Sequence, residues 1–413
     1  MVKIDIIRPG SINAIIGPVG TLKRIVRNRP FFLDHGYDIT VYANDGRMRS
    51  VEDIPAPAEA MRVNRDTFMG RLKIRLRSQA KKSYLLGRFY MWKDYRSTKK
   101  LVADYIARNQ QPDIVQFHSD MECYLYLKMR KEHHAKTVLF FHSDAIPFKM
   151  ELQYYPKLEG TRFLKSLMKR QQWTVSQVDE CVFIARTGQD YFKKYYPFFN
   201  VDHTEVILNG IDELDDEQKA EIALLRKSAE DSPFRYRLCC TGTINSRKGH
   251  RIIVEAMRDM DPEMRRKIHV DFYGEGPERP VLEDLVRELG LSGNISFVGA
   301  VPNRDIYKYL AKENIYILMS KNEGLPISII EAMRAGLPAI ASRVSGIPEL
   351  IRPGYNGELL DPDAGQLREL LDKMDTYDWE TMGRNSEQRF RTEFTFDRMK
   401  EQLCGMYDKM MLS

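Results

Sequence analysis

Long hydrophobic runs are missing from these 413 residues. No apolar stretch approaches the roughly 18 to 20 residues that a membrane-spanning helix needs, so no span is expected. The opening Met1-Val2-Lys3-Ile4-Asp5-Ile6 reads directly as a strand, so no secretory signal is expected either. Cysteine is scarce. The five, Cys123, Cys181, Cys239, Cys240 and Cys404, are odd in number and form no C-x-x-C pair, which argues against a disulfide framework or a zinc site and fits a reducing cytoplasm. Net charge is small, at +6, but it is unevenly spread. Between Arg62 and Lys100 stand 13 Lys or Arg against Asp66 and Asp94, a local +11 that leaves the rest of the chain at −5.

A chain of this length exceeds what one core usually fills, so two domains of about 200 residues are expected. In the first half, residues 3–10, 38–44, 113–119, 137–143 and 180–186 are short β-branched or aromatic runs separated by amphipathic stretches. The second half repeats the pattern: EVILNG, RLCCTG, HVDFYG, NISFVG, IYILMS and AIAS read as strands, with GHRIIVEAM, RPVLEDLVREL and RDIYKYLAKE as helices between them. Such alternation predicts an α/β fold of two Rossmann-like, doubly wound domains facing across a cleft. The boundaries are placed at 1–200, 201–388 and 389–413, the last a tail helix crossing back to the first domain. An acidic surface helix is expected within 212–233.

The stretch KNEGLPISIIEAMRAGLP carries two carboxylates, Glu323 and Glu331, around a turn and a helix start. Pro326 suits the first helical position and Gly336 the position past the end, which predicts a helix over 326–335. Its free amides and dipole can hold a diphosphate, leaving one carboxylate for ribose hydroxyls and the other for a transferred sugar. An ordinary amphipathic helix with two surface glutamates is the competing reading. The surrounding strand ends argue against it. His118 and His142 each close a strand, Gly17 and Gly20 permit close backbone approach in a loop before the next helix, TGTINSRKGH ends in Arg247-Lys248, and HVDFY runs into GEGPER.

GTINSRKG, FYGEGPE, SFVGAVP, MSKNEGLPISIIEAMRAGLPAIASRVSGIPELI and NGELLDP, in this order, resemble the second domain of GT-B fold retaining glycosyltransferases of family 4 (glycosyl transferases group 1). GPVG, QFHS and FFHSD extend the resemblance into the first half. It implies that Glu331 binds the nucleotide ribose and Glu323 the hydroxyls of the donor sugar. It further implies that the amides of Gly324, Leu325, Pro326 and Ile327 surround the diphosphate while Lys248 neutralises it, with Thr243, Glu275, Gly17 and Gly20 also at the donor. Proline has no N–H, so within that stretch Gly324, Leu325 and Ile327 supply the donors. His142 matches the family histidine beside the donor sugar; with Glu323 and Lys248 it forms the candidate catalytic set. One departure stands out: the family usually has Gly-Arg where this chain has Gly242-Thr243, and Arg247 is the candidate substitute. The resemblance implies a metal-independent reaction with no cofactor beyond the nucleotide sugar, for which UDP is the preferred nucleotide. The strings Asp259-Met260-Asp261 and Asp361-Pro362-Asp363 fall on a helix end and a surface turn, so no metal is expected.

In the basic segment, 62–100, the cations interleave with Phe68, Leu72, Leu76, Leu85, Leu86, Phe89, Tyr90 and Trp92. Arg71, Lys73, Arg75, Arg77, Lys81, Lys82, Arg88 and Trp92 are the candidate contacts to an anionic membrane or to the acceptor. A second cluster, with Arg162, Lys165, Lys169, Arg170 and Trp173, is expected on the same face. A solvated charged face is the alternative, and no nucleic-acid motif accompanies the charge. The combined expectation is a peripheral hexosyltransferase at the inner face of the cell membrane, transferring to a glycan or lipid-linked acceptor hydroxyl in surface polysaccharide, lipopolysaccharide or glycolipid synthesis. Two rivals remain open: a nucleotide-sugar epimerase or phosphorylase on the same fold, and a membrane-binding module with a vestigial nucleotide site.

Overall fold

The computed structural model describes residues 1–12, 17–54, 79–108, 110–130 and 134–412. Arg71, Lys73, Arg75 and Arg77 lie outside the described residues. The chain divides into two units, Met1–Ile207 with Lys400–Ser413, and Leu208–Met399. The division therefore falls after Ile207, and the tail changes unit within its last helix.

In the first unit the strands are β1 (Val2–Arg8), β2 (Tyr37–Ala43), β3 (Gly46–Met48), β4 (Ile114–Phe117), β5 (Lys136–Phe141), β6 (Glu180–Phe183) and β7 (Thr204–Val206). Their order is β3-β2-β1-β4-β5-β6-β7, parallel except for the β2–β3 pair. Strands covered by helices on both faces are shielded throughout, and β4 and β6 are buried at every position, Gln116 and Glu180 included. β4 and β5 end sooner than expected, and His118 and His142 stand just beyond the strand ends. EVILNG also belongs elsewhere than expected. Its first residues form β7, paired with β6 through Cys181 and Thr204, and so complete the edge of the first sheet. A three-residue edge strand carries too little pattern to reveal its partner.

The second unit holds β8 (Tyr236–Thr241), β9 (Ile268–Tyr273), β10 (Ile295–Gly299), β11 (Ile315–Leu318), β12 (Ala339–Ser342) and β13 (Gly357–Leu360). Their order, β10-β9-β8-β11-β12-β13, repeats the reversal seen in the first sheet. In each sheet the direction of winding changes between the first and fourth strands, and in open α/β sheets ligands bind beyond the carboxyl ends of strands at that point. The acidic stretch forms the helix Asp216–Ala229, closed at its start by a capping box between Asp215 and Gln218.

The last helix, Phe396–Leu412, buries Met399, Leu403, Met406, Tyr407 and Met410 at helical spacing. Its later part docks on the first unit. Tyr37 donates to the Cys404 carbonyl at 3.3 Å, and Lys409 pairs with Glu205 at 2.8 Å.

Candidate active site

The second unit's site is built from the loops after β8 and β11. After β8 the chain turns through Gly242 and an Asn245 side chain whose Oδ1 accepts from the amides of Arg247 (3.0 Å) and Lys248 (3.2 Å). An asparagine holding its own following backbone is a recognised turn former, so NSRK carries a local signal for this anchor. Gly249 then sits at φ +73°, where a Cβ would fall 1.8 Å from the Met319 carbonyl. Only glycine lets the two loops approach so closely. The GEGPER turn is set the same way: a Cβ on Gly276 would lie 2.0 Å from the Ile244 carbonyl.

This closeness brings two cations onto one carboxylate. Glu323 Oε1 lies 2.8 Å from Arg247 Nη1, 2.8 Å from Lys248 Nζ and accepts from Ser320 Oγ at 2.7 Å. Burial pushes the Glu323 carboxyl up, but Lys248 and Arg247 outweigh it and hold it below the usual range. The turn bearing Glu323 is clasped from β12: Ser342 donates to the Ser320 carbonyl at 2.5 Å, Ser345 to Asn322 Oδ1 at 2.9 Å, and the Gly346 amide to the Gly324 carbonyl at 3.0 Å. Ser345 itself holds φ +48°, a conformation a non-glycine residue adopts at some cost.

The adjoining helix is Ile327–Arg334, one residue shorter at each end than expected. Pro326 is its N-cap, with ψ 114°, rather than its first helical residue; the extended backbone needed to swing the Glu323 turn away from the helix axis accounts for the shift. Gly336, at φ +68°, follows the C-terminal end as expected. Glu331 is the fifth helical residue and partly buried. Leu325 is fixed through its carbonyl by Asn209 Nδ2 at 3.1 Å. Thr243 is exposed on the first loop, while Glu275 directs its carboxylate to Arg279 rather than to the Glu323 cluster.

In the first unit, His118 and His142 leave adjacent strands and meet. His118 Nδ1 is 2.6 Å from His142 Nε2, and the rings stack with centroids 4.9 Å apart. Burial, then the nearby Arg8, drives His142 down to about 3; burial, His142 and Arg8 drive His118 well below the usual imidazole value. Both rings are therefore neutral at physiological pH. Behind them, Gln116 Nε2 lies 2.9 Å from His118 Nε2, and Tyr407 donates to Gln116 Oε1 at 2.7 Å. The chain after His142 is strained, with Ala145 at φ +55° and Phe148 at φ +56°. Gly17 and Gly20 do not form a loop: they lie in the first turn of the helix Gly17–Arg27. Gly17-Pro18 is a natural helix opening, since proline suits a first turn.

The basic segment's described part is dominated by the helix Tyr84–Ala107. Gly87, Met91, Thr98, Val102 and Tyr105 face inward. Leu85, Phe89 and Trp92, at i, i+4 and i+7, are 73%, 51% and 50% exposed on the opposite side, beside exposed Arg88 and Arg96. Lys81 and Lys82 are exposed just before it. Arg88 lies 4.9 Å over the Phe163 ring, joining this face to the helix Arg162–Val175. Arg170 and Trp173 of that helix are engaged internally, Arg170 5.1 Å over Tyr124 and Trp173 edge-on to the same ring. No helix among the described residues is long and apolar enough to cross a membrane.

Two Rossmann-like sheets, of seven and six strands, that reverse their winding at the same place, each with its polar cluster there, make up a GT-B fold. The crystal structure of Anabaena Alr3699/HepE in complex with UDP has this fold, with a TM-score of 0.68 at 16% identity over 99% of this chain and 100% of that one. The chain belongs to glycosyltransferase family 4, the glycosyl transferases group 1: the model for Glycosyltransferase Family 4 matches residues 31–213, and that for Glycosyl transferases group 1 matches 225–387. The D-inositol 3-phosphate glycosyltransferase of Corynebacterium kroppenstedtii is 27% identical over 199 residues, 46% of this chain and 44% of that protein. The O-antigen chain mannosyltransferase C of Escherichia coli is 24% identical over 310 residues, 73% of this chain and 76% of that protein. Against the first curated relatives, the matched part spans only 30% to 44% of their length.

Proposed function

We propose that the protein is a retaining, metal-independent hexosyltransferase that moves a hexose from a UDP-sugar to an acceptor hydroxyl in surface polysaccharide, lipopolysaccharide or glycolipid synthesis. The observation that carries this reading is the convergence of Arg247 and Lys248 on Glu323 beside a helix N-terminus. Two cations and first-turn amides suit a leaving diphosphate, whose negative charge grows as the glycosidic bond breaks. Arg247 takes the place of the family arginine that Thr243 does not supply. When the diphosphate draws the two cations, the Glu323 carboxylate is released to accept from a sugar hydroxyl; Glu331 is assigned to the ribose and neutral His142 to the sugar. Gly324, Leu325 and Ile327 provide the amides at the diphosphate. The first unit, Met1–Ile207 with Lys400–Ser413, is assigned to the acceptor and the second, Leu208–Met399, to the donor.

UDP as nucleotide rests on the UDP-bound Anabaena relative in structure, and the surface-polysaccharide setting on the O-antigen mannosyltransferase in sequence. Membrane attachment is supported by the exposed Leu85, Phe89 and Trp92 stripe flanked by Lys81, Lys82, Arg88 and Arg96, since basic amphipathic surfaces bind anionic bilayers. Thermal unfolding with UDP-, GDP- and ADP-sugars tests the donor: at 100 times Kd a ligand adds about 2.7 kcal/mol, and no shift with any of them refutes the reading. Lys248→Ala is expected to lower turnover by about 10²-fold or more. Nucleotide-sugar conversion without acceptor would instead favour an epimerase. Sedimentation with liposomes is expected to need anionic lipid and to fall with Phe89→Ser/Trp92→Ser; equal binding to neutral liposomes refutes the electrostatic part.

A further inference from the structure

We propose that Tyr407, Gln116 and His118 form a hydrogen-bonded relay that fixes His142 as the tautomer protonated at Nδ1, so that the ring nitrogen left for a ligand is a donor and not a base. Three contacts build it: Tyr407 Oη to Gln116 Oε1 at 2.7 Å, Gln116 Nε2 to His118 Nε2 at 2.9 Å, and His118 Nδ1 to His142 Nε2 at 2.6 Å. Gln116, Tyr407 and His118 are buried, the first two completely, so water does not compete for these groups.

The polarity follows from the two ends. An amide has one donating and one accepting end, and a neutral imidazole likewise has one of each. If Gln116 Oε1 accepts from Tyr407, its Nε2 must donate to His118 Nε2; His118 then carries its proton on Nδ1 and donates to His142 Nε2. His142, neutral through burial and Arg8, is left with its proton on Nδ1. The reverse arrangement would turn every bond around and strand the Tyr407 hydroxyl proton, which has no other acceptor among the described residues. A buried donor without an acceptor is disfavoured, and this selects the forward direction. Tyr407 sits on the last helix, 291 residues from Gln116, which gives that helix a role in the chemistry of the first unit. Tyr407, Gln116 and His118 are positioning residues; they act through His142.

The inference rests on the placement of His142 beside the donor sugar only for its effect on turnover. The relay itself is read by nitrogen NMR of the full chain labelled at histidine, with His142→Asn assigning the signal. Wild-type His142 is expected to show a protonated Nδ1 and a bare Nε2. Gln116→Glu offers an acceptor to both neighbours, so His118 must donate from Nε2 and accept at Nδ1; the His142 proton is expected to move to Nε2. Tyr407→Phe, which removes one hydroxyl from an otherwise unchanged packing, is expected to give a mixture of the two forms. Turnover is expected to fall roughly 10- to 100-fold in Gln116→Glu, with donor KM little changed. A wild-type His142 protonated at Nε2, or a signal unmoved by either variant, overturns the relay. Exchanged signals with unchanged turnover uphold the relay and overturn the placement of His142 at the sugar.

Discussion

Replacing Lys248 by methionine removes one of two cations from a Glu323 carboxylate whose side chain is only 8% exposed. Losing the sole partner of a buried charge costs about 3–5 kcal/mol. Here Arg247 and Ser320 still hold the same oxygen, at 2.8 and 2.7 Å, so the loss is nearer that of one hydrogen bond to a charged group, about 2 kcal/mol. For a unit of roughly 200 residues this lowers Tm by about 4–8 °C. Lys248→Met/Glu323→Gln removes both charges together and is expected to recover most of the loss, giving an interaction energy of about 2 kcal/mol in a double-mutant cycle. Thermal and urea unfolding of the four proteins measure it. The pH dependence supplies a second check. A carboxyl held below its ordinary value of 4.5 contributes stability above that pH and loses it as the pH falls through the folded value. The Lys248→Met penalty should therefore be full at pH 7 and shrink in acid below about pH 4.5. Additive effects within about 0.5 kcal/mol, or a penalty unchanged at pH 3, would refute the coupling.

Burial pushes Glu313 up to about 8, against the hydrogen bond that Tyr273 donates to its Oε1 at 2.6 Å, so the folded protein holds it protonated at neutral pH. A raised carboxyl contributes stability below its ordinary value of 4.5 that is lost as the pH rises through 8, so Glu313→Gln should gain about 1 kcal/mol or more over wild type at pH 9 and little at pH 5. Equal urea midpoints for the two proteins at pH 9 would contradict a buried neutral acid. Gly276→Ala drives a Cβ to 2.0 Å from the Ile244 carbonyl and should cost about 3 kcal/mol or more with loss of turnover. Gly290→Ala, at φ +68° with nothing within 4 Å, should cost only about 1–2 kcal/mol and leave turnover intact; similar losses in the two would show that close approach is not what the first glycine serves.

What could be read in advance was what sits within a few residues of its own explanation. Glu323, the helix after it and Gly336 share one short stretch, and Arg247-Lys248 end a loop whose glycines announce a close approach. Gln116 and Tyr407 had no such local sign: each looks like an ordinary core residue until the last helix and β4 are placed side by side. Gly17 and Gly20 misled because glycines also occur in helix first turns, and EVILNG because an edge strand pairs on one side only. Trp173 shows the limit of composition in the same way, since an aromatic among lysines is equally at home edge-on to Tyr124 and beneath Lys128.

The two units use the same strand order for opposite electrostatic ends. At the reversal between β8 and β11, charge is concentrated: two cations and a carboxylate held ionised by them. At the reversal between β1 and β4, the side chains beyond the strand ends are held uncharged: burial, then Arg8, keeps His118 and His142 neutral, and burial raises Glu122 to about 7. A diphosphate suits the first kind of environment, because fixed cations and amides answer a growing negative charge in place of water. A neutral hydroxyl needs the second, because a fixed donor of known polarity can orient it without drawing a counterion. With the proposed site roles and the proposed relay, that division accounts for a buried glutamine and a tyrosine from the last helix acting on the tautomer of one ring in the first unit, and for an ion pair that an anion can reopen in the second.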